Sequence, residues 1–132
     1  PNRRLVLWPY AKMNDPRVTW GEKFVYLRQT TDPAPFKIGM NNDKGWAAYW
    51  NKGLLFIKTF PSIVDGAYPD YGVSFETYTD EHFLELESLG ELKRVRAGET
   101  IEHTETWRLL ENVELPFHDE NAMLNLVESW LK

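Results

Sequence analysis

The chain has 132 residues, of which 42% are hydrophobic and 27% charged; this composition is typical of one folded domain and excludes an intrinsically disordered chain. Asp and Glu number 20 against 15 Lys and Arg, and the net charge of −5 argues against a nucleic-acid-binding protein and against a polybasic membrane anchor. Cysteine is absent, which excludes disulfide bonds, zinc–thiolate sites and cysteine nucleophiles.

The first half of the chain reads as short strands separated by turns. Apolar runs at 5–8, 24–28 and 37–40 predict three strands, each bounded by proline, asparagine, aspartate or glycine. Two further runs at 46–50 and 54–60 are joined by Asn51, Lys52 and Gly53. Because a short connection ending in glycine is typical of a tight turn, these two runs predict a β-hairpin.

The second half continues with strands and ends in a helix. Residues 73–78 and 83–89 predict two more strands, and 100–109 alternate so regularly that they predict one long strand with Ile101, His103 and Trp107 on one side. Asp119 is a suitable N-cap for a helix over 119–131, whose apolar residues recur at helical spacing. We therefore predict one all-β domain over 1–132, an antiparallel β-sandwich with a C-terminal helix packed on its outside.

The beginning of the chain and its hydropathy bear on location. Pro1 stands where an initiator methionine is expected, and no apolar signal segment follows it. We expect the chain to be a piece of a longer protein, and a cytoplasmic location is favoured. No run approaches about 18 apolar residues, so no transmembrane helix is predicted.

Two glutamates on one predicted strand are the strongest candidates for chemistry. In residues 83–89, Glu85 and Glu87 point to the face opposite Leu84 and Leu86. The Cα atoms of residues i and i+2 in a strand are about 6.5–7 Å apart, and like charges at that range raise one pKa, which suits a general acid or base. The alternative is a strand face that is simply solvated.

Two other charged residues interrupt predicted strands. Glu76 gives the strand 73–78 a polar face. Lys58 lies within an apolar run, where an unpaired charge is costly, so we expect it to pair with Glu85 or Glu87. The alternative for Lys58 is an exposed face or a sheet edge.

The remaining chemistry-bearing residue types give little signal. The three histidines, His82, His103 and His118, do not have the spacing of a compact metal motif, and a hydrogen-bonded structural role is expected for His103. Motifs of serine hydrolases, P-loop enzymes and dinucleotide-binding folds are absent. We predict no cofactor and no transition-metal site; a surface calcium among acidic loops stays open.

Several segments together resemble a known superfamily. They are the segments 7–10 (LWPY), 45–49 (GWAAY), 73–79 (VSFETYT), 83–90 (FLELESLG) and 97–107 (AGETIEHTETW), and the similarity covers most of the chain to about residue 112. With these segments the chain resembles the C-terminal half of galactose-mutarotase-like (aldose 1-epimerase-like) proteins, and within them a bacterial domain family of unknown function, DUF4380.

The resemblance implies a sugar-binding or sugar-modifying function. In aldose 1-epimerases a glutamate is the general base and a histidine the general acid. Here Glu87 corresponds best to that glutamate and Glu85 is second, whereas the segment 7–13, which corresponds to the histidine motif, contains no histidine. We expect a concave sheet face that binds a sugar or sugar-like molecule. Its expected binding residues are Lys58, Trp46, Trp50, Glu76 and Trp8.

The length of the chain affects what covers its core. The superfamily fold is about twice as long, and half of a supersandwich leaves one sheet face without its facing layer. We therefore expect a second copy or a missing N-terminal half to cover that face. The alternative function is a non-catalytic β-sandwich that serves as an interaction or accessory module without sugar activity.

Overall fold

A computed structural model describes residues 3–131 and contains nine strands in three antiparallel sheets. The prediction of a mostly β chain with one C-terminal helix is confirmed. The strands are β1 (Leu5–Leu7), β2 (Val18–Trp20), β3 (Val25–Leu27), β4 (Phe36–Met40), β5 (Trp46–Asn51), β6 (Leu54–Thr59), β7 (Phe75–Thr79), β8 (Leu84–Ser88) and β9 (Thr106–Leu110). The helices are a single turn, α1 (Pro69–Gly72), and α2 (Glu120–Trp130).

The largest sheet has four strands in the order β1-β4-β7-β8. Alternation along β4 and β7 buries Phe36, Ile38 and Phe75 on one face. Phe75 stacks on Phe60, with ring centroids 5.9 Å apart and planes 7° apart, and Leu86 of β8 packs against the same cluster. The opposite face of this sheet, called the outer face below, carries the charged residues of β4, β7 and β8.

The second sheet has three strands in the order β5-β6-β9, and β5 and β6 form the predicted hairpin. Asn51 pairs with Leu54, so the loop has two residues rather than three, and Lys52 and Gly53 have φ angles of 49° and 85°. Two successive positive φ angles characterise the tight turn that matches the twist of a hairpin. Leu55 and Ile57 of β6 are fully buried.

The carboxylate of Glu120 connects the helix α2 with the small β2-β3 sheet. Glu120 accepts hydrogen bonds from the backbone N–H groups of Glu22, Lys23 and Phe24, at 3.0 to 3.4 Å. Asp119 caps the helix as predicted, with its carboxylate accepting from the N–H groups of Asn121 and Ala122. Met123 and Val127 are the buried residues of the helix.

The predicted long strand over 100–109 is wrong for its first half, because only Thr106–Leu110 forms a strand. The ladder between β6 and β9 ends at the pair Thr59–Thr106, and β6 itself ends before Pro61, which has no N–H to donate. Residues 100–105 therefore have no partner in the β6 ladder, although His103 and Glu105 contact Ser88 of β8 through their side chains. Alternation in sequence revealed a strand-like pattern but not the missing partner.

Two other features complete the fold. The strand β2 and the turn α1 were not predicted; α1 is irregular, since Asp70 and Tyr71 have φ angles of 48° and 63°. Among residues 3–131, no helix is long and apolar enough to cross a membrane.

Candidate functional site

The outer face of the four-stranded sheet brings five ionisable groups into one row. Cross-strand register places Glu76 opposite Glu87 and Tyr78 opposite Glu85, and Lys37 opposite Tyr78 on the other side. The name acidic row is used below for five residues in the order in which they contact one another: Asp70, Glu76, Lys37, Glu87 and Glu85. Asp70 belongs to α1, and the other four belong to the sheet.

Lys37 lies at the centre of the acidic row. Its Nζ atom is 2.8 Å from Oε2 of Glu76 and 3.0 Å from Oε1 of Glu87. The side chain is only 16% exposed; burial lowers the pKa of Lys37, but the hydrogen bonds to the two glutamates outweigh burial and raise it. Lys37 is therefore a permanent positive charge between two carboxylates.

Glu76 is the most buried carboxylate of the row, with its side chain 4% exposed. Burial raises the pKa of Glu76, Lys37 lowers it, and the nearby carboxyl group of Asp70 raises it again; the net shift is upward. Oε2 of Glu76 accepts from Lys37, whereas Oε1 is buried and, among the described residues, receives no hydrogen bond from a donor. The carboxyl group of exposed Asp70 lies beside Glu76.

Glu85 and Glu87 form a second carboxyl pair at the other end of the row. Their side chains are within hydrogen-bonding reach of each other, and burial followed by the proximity of Glu87 raises the pKa of Glu85. Glu87 is 32% exposed, so both groups are accessible from solution. Since one member of such a pair holds a proton more tightly than an isolated carboxyl group, the pair can both accept and donate protons.

Aromatic side chains surround the acidic row. Nζ of Lys37 is 4.8 Å from the ring centroid of Trp8, a cation–π contact. Tyr10 is 43% exposed, and burial raises the pKa of its hydroxyl while the charges of Lys37 and Glu87 act on it in opposite directions. The Tyr78 hydroxyl donates to Asp80, and the Tyr78 ring lies 5.6 Å from the ring of Phe83.

The strand pattern explains why these groups share a face. Phe36 and Ile38 face the core, so Lys37 between them faces outward. In the same way, Phe75 faces the core and its neighbour Glu76 faces outward, and Leu86 faces the core and its neighbour Glu87 faces outward. Gly39 lies opposite Glu76, and a Cβ atom there would be 2.9 Å from Val73. Glycine at 39 thus allows Val73, which follows α1, to pack closely over this part of the sheet.

The structure places four of the predicted site residues together. Glu85, Glu87 and Glu76 belong to the acidic row, and Trp8 contacts its lysine. The orientation predicted for β8 is confirmed, because Leu86 packs against the core cluster while Glu85 and Glu87 lie on the other face.

The predicted pairing of Lys58 with Glu85 or Glu87 is wrong. Lys58 is buried and does have a partner, but its Nζ atom lies 3.0 Å from Oε1 of Glu105 and donates to the carbonyl oxygen of Leu86 at 2.7 Å. Lys58 lies on the face of β6 opposite Leu55 and Ile57, on the side of its register partner Ala47, which packs in the core cluster with Phe75. It therefore meets the four-stranded sheet from the opposite side to the acidic row. The lysine that contacts Glu87 is Lys37.

Trp46 and Trp50 contact other aromatic rings rather than the acidic row. Trp46 lies 6.3 Å from the ring of Phe24, and Trp50 lies 5.6 Å from the ring of Phe117 and donates to the carbonyl oxygen of Val113. Both are half-buried packing residues between the three-stranded sheet and the neighbouring segments. Nothing in these contacts connects them with Glu85 or Glu87.

Three members of the candidate site were missed from the sequence: Lys37, Asp70 and Tyr10. Lys37 carried a usable signal, because it is a charged residue inside a predicted strand, as Lys58 is. Asp70 lies in an irregular turn and Tyr10 follows Pro9 at the end of β1. Their approach to the sheet depends on the path of the chain outside the strands, which residue patterns do not report.

A second polar cluster lies around Glu105. Its carboxylate accepts hydrogen bonds from Ser88, Lys58 and the indole N–H of Trp107. Burial raises the pKa of Glu105, but these three hydrogen bonds lower it by more, so the net shift is downward. His103 Nε2 is 2.7 Å from Ser88 Oγ. Because the serine proton points to Glu105, this arrangement is a hydrogen-bonded support rather than a serine nucleophile with its base.

The structure also locates cavities and possible metal ligands. A cavity of about 310 Å³ lies beside the α1 turn, lined by Arg4, Asp65, Tyr68 and Ser74 among others, away from Glu85 and Glu87. In the described part of the chain, no group of three or more histidine, aspartate or glutamate side chains is arranged to hold a metal ion.

Comparisons with known proteins identify no relative: no family model, no curated protein and no solved structure matches the chain.

Proposed function

We propose that the outer face of the four-stranded sheet binds a carbohydrate and that Glu85 and Glu87 exchange protons with its hydroxyl groups. The observation that carries this proposal is the acidic row itself: four carboxyl groups and one ammonium group, side by side on one sheet face and bordered by Trp8, Tyr10 and Tyr78.

The chemistry of the row matches what a sugar presents. A sugar ring offers several hydroxyl groups, each a donor and an acceptor, on a frame whose C–H faces pack against aromatic rings. Carboxylates accept from those hydroxyls and the Lys37 ammonium donates to them. Tyr10 is exposed and adjacent, so its ring is free to cover one face of a bound sugar.

A proton exchange at the anomeric centre is the reaction this geometry supports best. The general base would be Glu87, and Glu85, whose pKa is raised by desolvation and by the proximity of Glu87, would be the proton donor. His82 and His103 do not supply the acid, since the side chain of His82 contacts Glu81 and that of His103 contacts Ser88. Such a pair of neighbouring carboxyl groups would replace the glutamate–histidine pair of aldose 1-epimerases.

A titration and a rate measurement test this proposal. We expect aldoses of the glucose and galactose series to shift the amide NMR signals of β7 and β8 at millimolar concentration, and the intact chain to speed the interconversion of their anomers followed by polarimetry. E87Q and E85Q should each lower the rate by about 100-fold or more, the size of one general acid–base contribution. E105Q, outside the row, is the matched control.

The non-catalytic alternative is favoured by one observation, the openness of the outer face. The cavity of about 310 Å³ beside α1 is not lined by Glu85 or Glu87, and Glu85 is exposed rather than enclosed. Binding of sugars without any change in anomer interconversion would support an accessory module. Absence of binding by every aldose and oligosaccharide tested at millimolar concentration would contradict both forms of the proposal.

A further inference from the structure

We propose that the sugar taken by the outer face is an amino sugar whose ammonium group binds between Asp70 and Glu76. This inference rests on the proposed function and names the class of its ligand. It is carried by the unpartnered oxygen of Glu76 and by the balance of charges along the acidic row.

The Glu76 carboxylate has one oxygen with a hydrogen-bond partner and one without. Its Oε2 atom is 2.8 Å from Lys37, but its Oε1 atom is buried without a donor among the described residues. A buried oxygen left without a hydrogen bond costs free energy, and the cost is larger for a charged group. The site therefore lacks one donor at a defined atom.

A second carboxyl group lies beside Glu76. The carboxyl group of Asp70 is within hydrogen-bonding reach of Glu76. Two carboxylates cannot hydrogen-bond to each other unless a proton or another donor lies between them. The ammonium group of a ligand is such a donor, and its three N–H groups allow it to donate to both carboxylates at once.

The acidic row has an excess of negative charge. When its groups are ionised, four carboxylates face the single ammonium of Lys37. The nearby guanidinium of Arg4 is directed to the carbonyl oxygen of Gly72 and lies 4.0 Å from Asp65. A bound ammonium group reduces the excess negative charge, whereas a sugar carboxylate or sulfate increases it. The row thus favours cationic sugars and rejects acidic ones.

A sugar bound by its ammonium group at Asp70 and Glu76 must also reach the proton-exchanging pair, Glu85 and Glu87. Glu76 and Glu87 are directly opposite on neighbouring strands, so their Cβ atoms are about 5 Å apart, and Glu85 lies about 7 Å further along β8. One sugar ring covers this distance. With its amine at Asp70 and Glu76, a monosaccharide can present a hydroxyl group to Glu87.

Lys37 is the protein's own example of this recognition. Its ammonium lies between two carboxylates and over the ring of Trp8. The same face therefore already holds one primary ammonium group by charge-assisted hydrogen bonds to two carboxylates, the contact that a ligand amine would use at Asp70 and Glu76.

Calorimetric and NMR titrations of the unaltered chain, at about pH 6 where a sugar amine is charged, test the inference. Glucosamine and galactosamine are compared with glucose, galactose and the N-acetylated amino sugars, which keep the bulk but lose the charge. We expect the charged sugars to bind at least about tenfold more tightly, the equivalent of about 1.4 kcal/mol. Equal affinities for charged and neutral sugars overturn the inference and leave the proposed function standing.

A substitution in the exposed part of the site gives an independent test. D70N removes one charge at a residue with a φ of 48°, a conformation that asparagine adopts as readily as aspartate. It should abolish the preference for glucosamine over glucose without changing glucose binding, whereas E128Q on the exposed side of α2 should change neither. Retention of the full preference by D70N overturns the assignment, and failure of every sugar to bind overturns the proposed function as well.

Discussion

Lys37 shows how one residue can determine the state of a whole surface. It joins Glu76 to Glu87 and contacts Trp8, so its removal leaves a buried carboxylate without its cation. The side chain cannot be assigned this role from its own strand, because both partners lie on strands far along the chain. At the residue scale, the candidate site depends on a lysine that the sequence marks only as a charge inside a strand.

Replacing Lys37 by methionine should destabilise the protein. The substitution keeps the length of the side chain but leaves Glu76 ionised or forces it to bind a proton, and breaking a buried pair in this way costs about 3 kcal/mol. Urea unfolding followed by tryptophan fluorescence measures the change. The double variant K37M/E76Q should recover part of the loss. A single variant as stable as K93M, a change at an exposed lysine, would contradict the role given to Lys37.

At the scale of elements, some features follow directly from local sequence. The hairpin of β5 and β6 and the cap of α2 were predicted because a turn and a helix start are encoded within a few residues. The orientation of Glu85 and Glu87 followed from alternation against Leu86. The extent of β9 could not be predicted from alternation. A strand needs a neighbouring strand, and the ladder to β6 ends at Thr59, a position that is set by the rest of the fold.

The hairpin turn offers a test of backbone conformation alone. G53A should lower the free energy of unfolding by about 1–2 kcal/mol, because alanine disfavours the positive φ of 85° at this position. A Cβ atom there would meet nothing within 4 Å, so a clash does not contribute. The companion variant K52N should be neutral or slightly stabilising in the same urea titration, since asparagine tolerates positive φ. Equal stability of G53A and the unaltered chain would refute the turn geometry.

Glu120 connects two elements that are far apart in sequence. E120A should lower stability by about 2 kcal/mol, since a carboxylate that accepts from backbone N–H groups makes charge-assisted bonds. Hydrogen exchange of the Glu22 and Phe24 amides should accelerate in the variant, because these groups lose their acceptor. E128A, an exposed glutamate of the same helix, should leave both measurements unchanged.

For the molecule as a whole, carboxyl groups of two kinds determine how stability varies with pH. Burial raises the pKa of Glu76 above 4.5, and partial desolvation beside Glu87 does so for the exposed Glu85. The contribution of both groups to stability is therefore complete below about pH 4.5 and is lost as the pH rises through the raised pKa values. The pKa values of Asp15, beside Arg17, and Glu105, which accepts three hydrogen bonds, are lowered. Their contribution is present above the ordinary carboxyl range and is lost as the pH falls.

We therefore expect the melting temperature to be highest in mildly acidic solution and to fall on both sides. Thermal unfolding followed by circular dichroism from about pH 3 to about pH 8 measures it. E85Q should flatten the decline toward neutral pH and leave the decline at low pH unchanged. An identical profile for E85Q and the unaltered chain would show that the carboxyl pair does not act as described.

The expectation that another chain covers part of the molecule stays a prediction. The place where it would act is the edge strand β9, on which Trp107 and Leu109 are 65% and 63% exposed. Exposed apolar residues beside unpaired backbone groups favour association. If a second copy binds there, light scattering should give a concentration-dependent mass that W107S reduces to that of the monomer.

The order of contacts along the acidic row has a consequence for any measurement of its protons. Since Asp70 adjoins Glu76, and Lys37 connects Glu76 with Glu87 and hence with Glu85, binding of a proton at one end alters the field at the other. The side-chain carboxyl signals of Glu76 and Glu85 followed across pH should then show multi-step curves, and an inflection in such a curve is not the property of one glutamate alone.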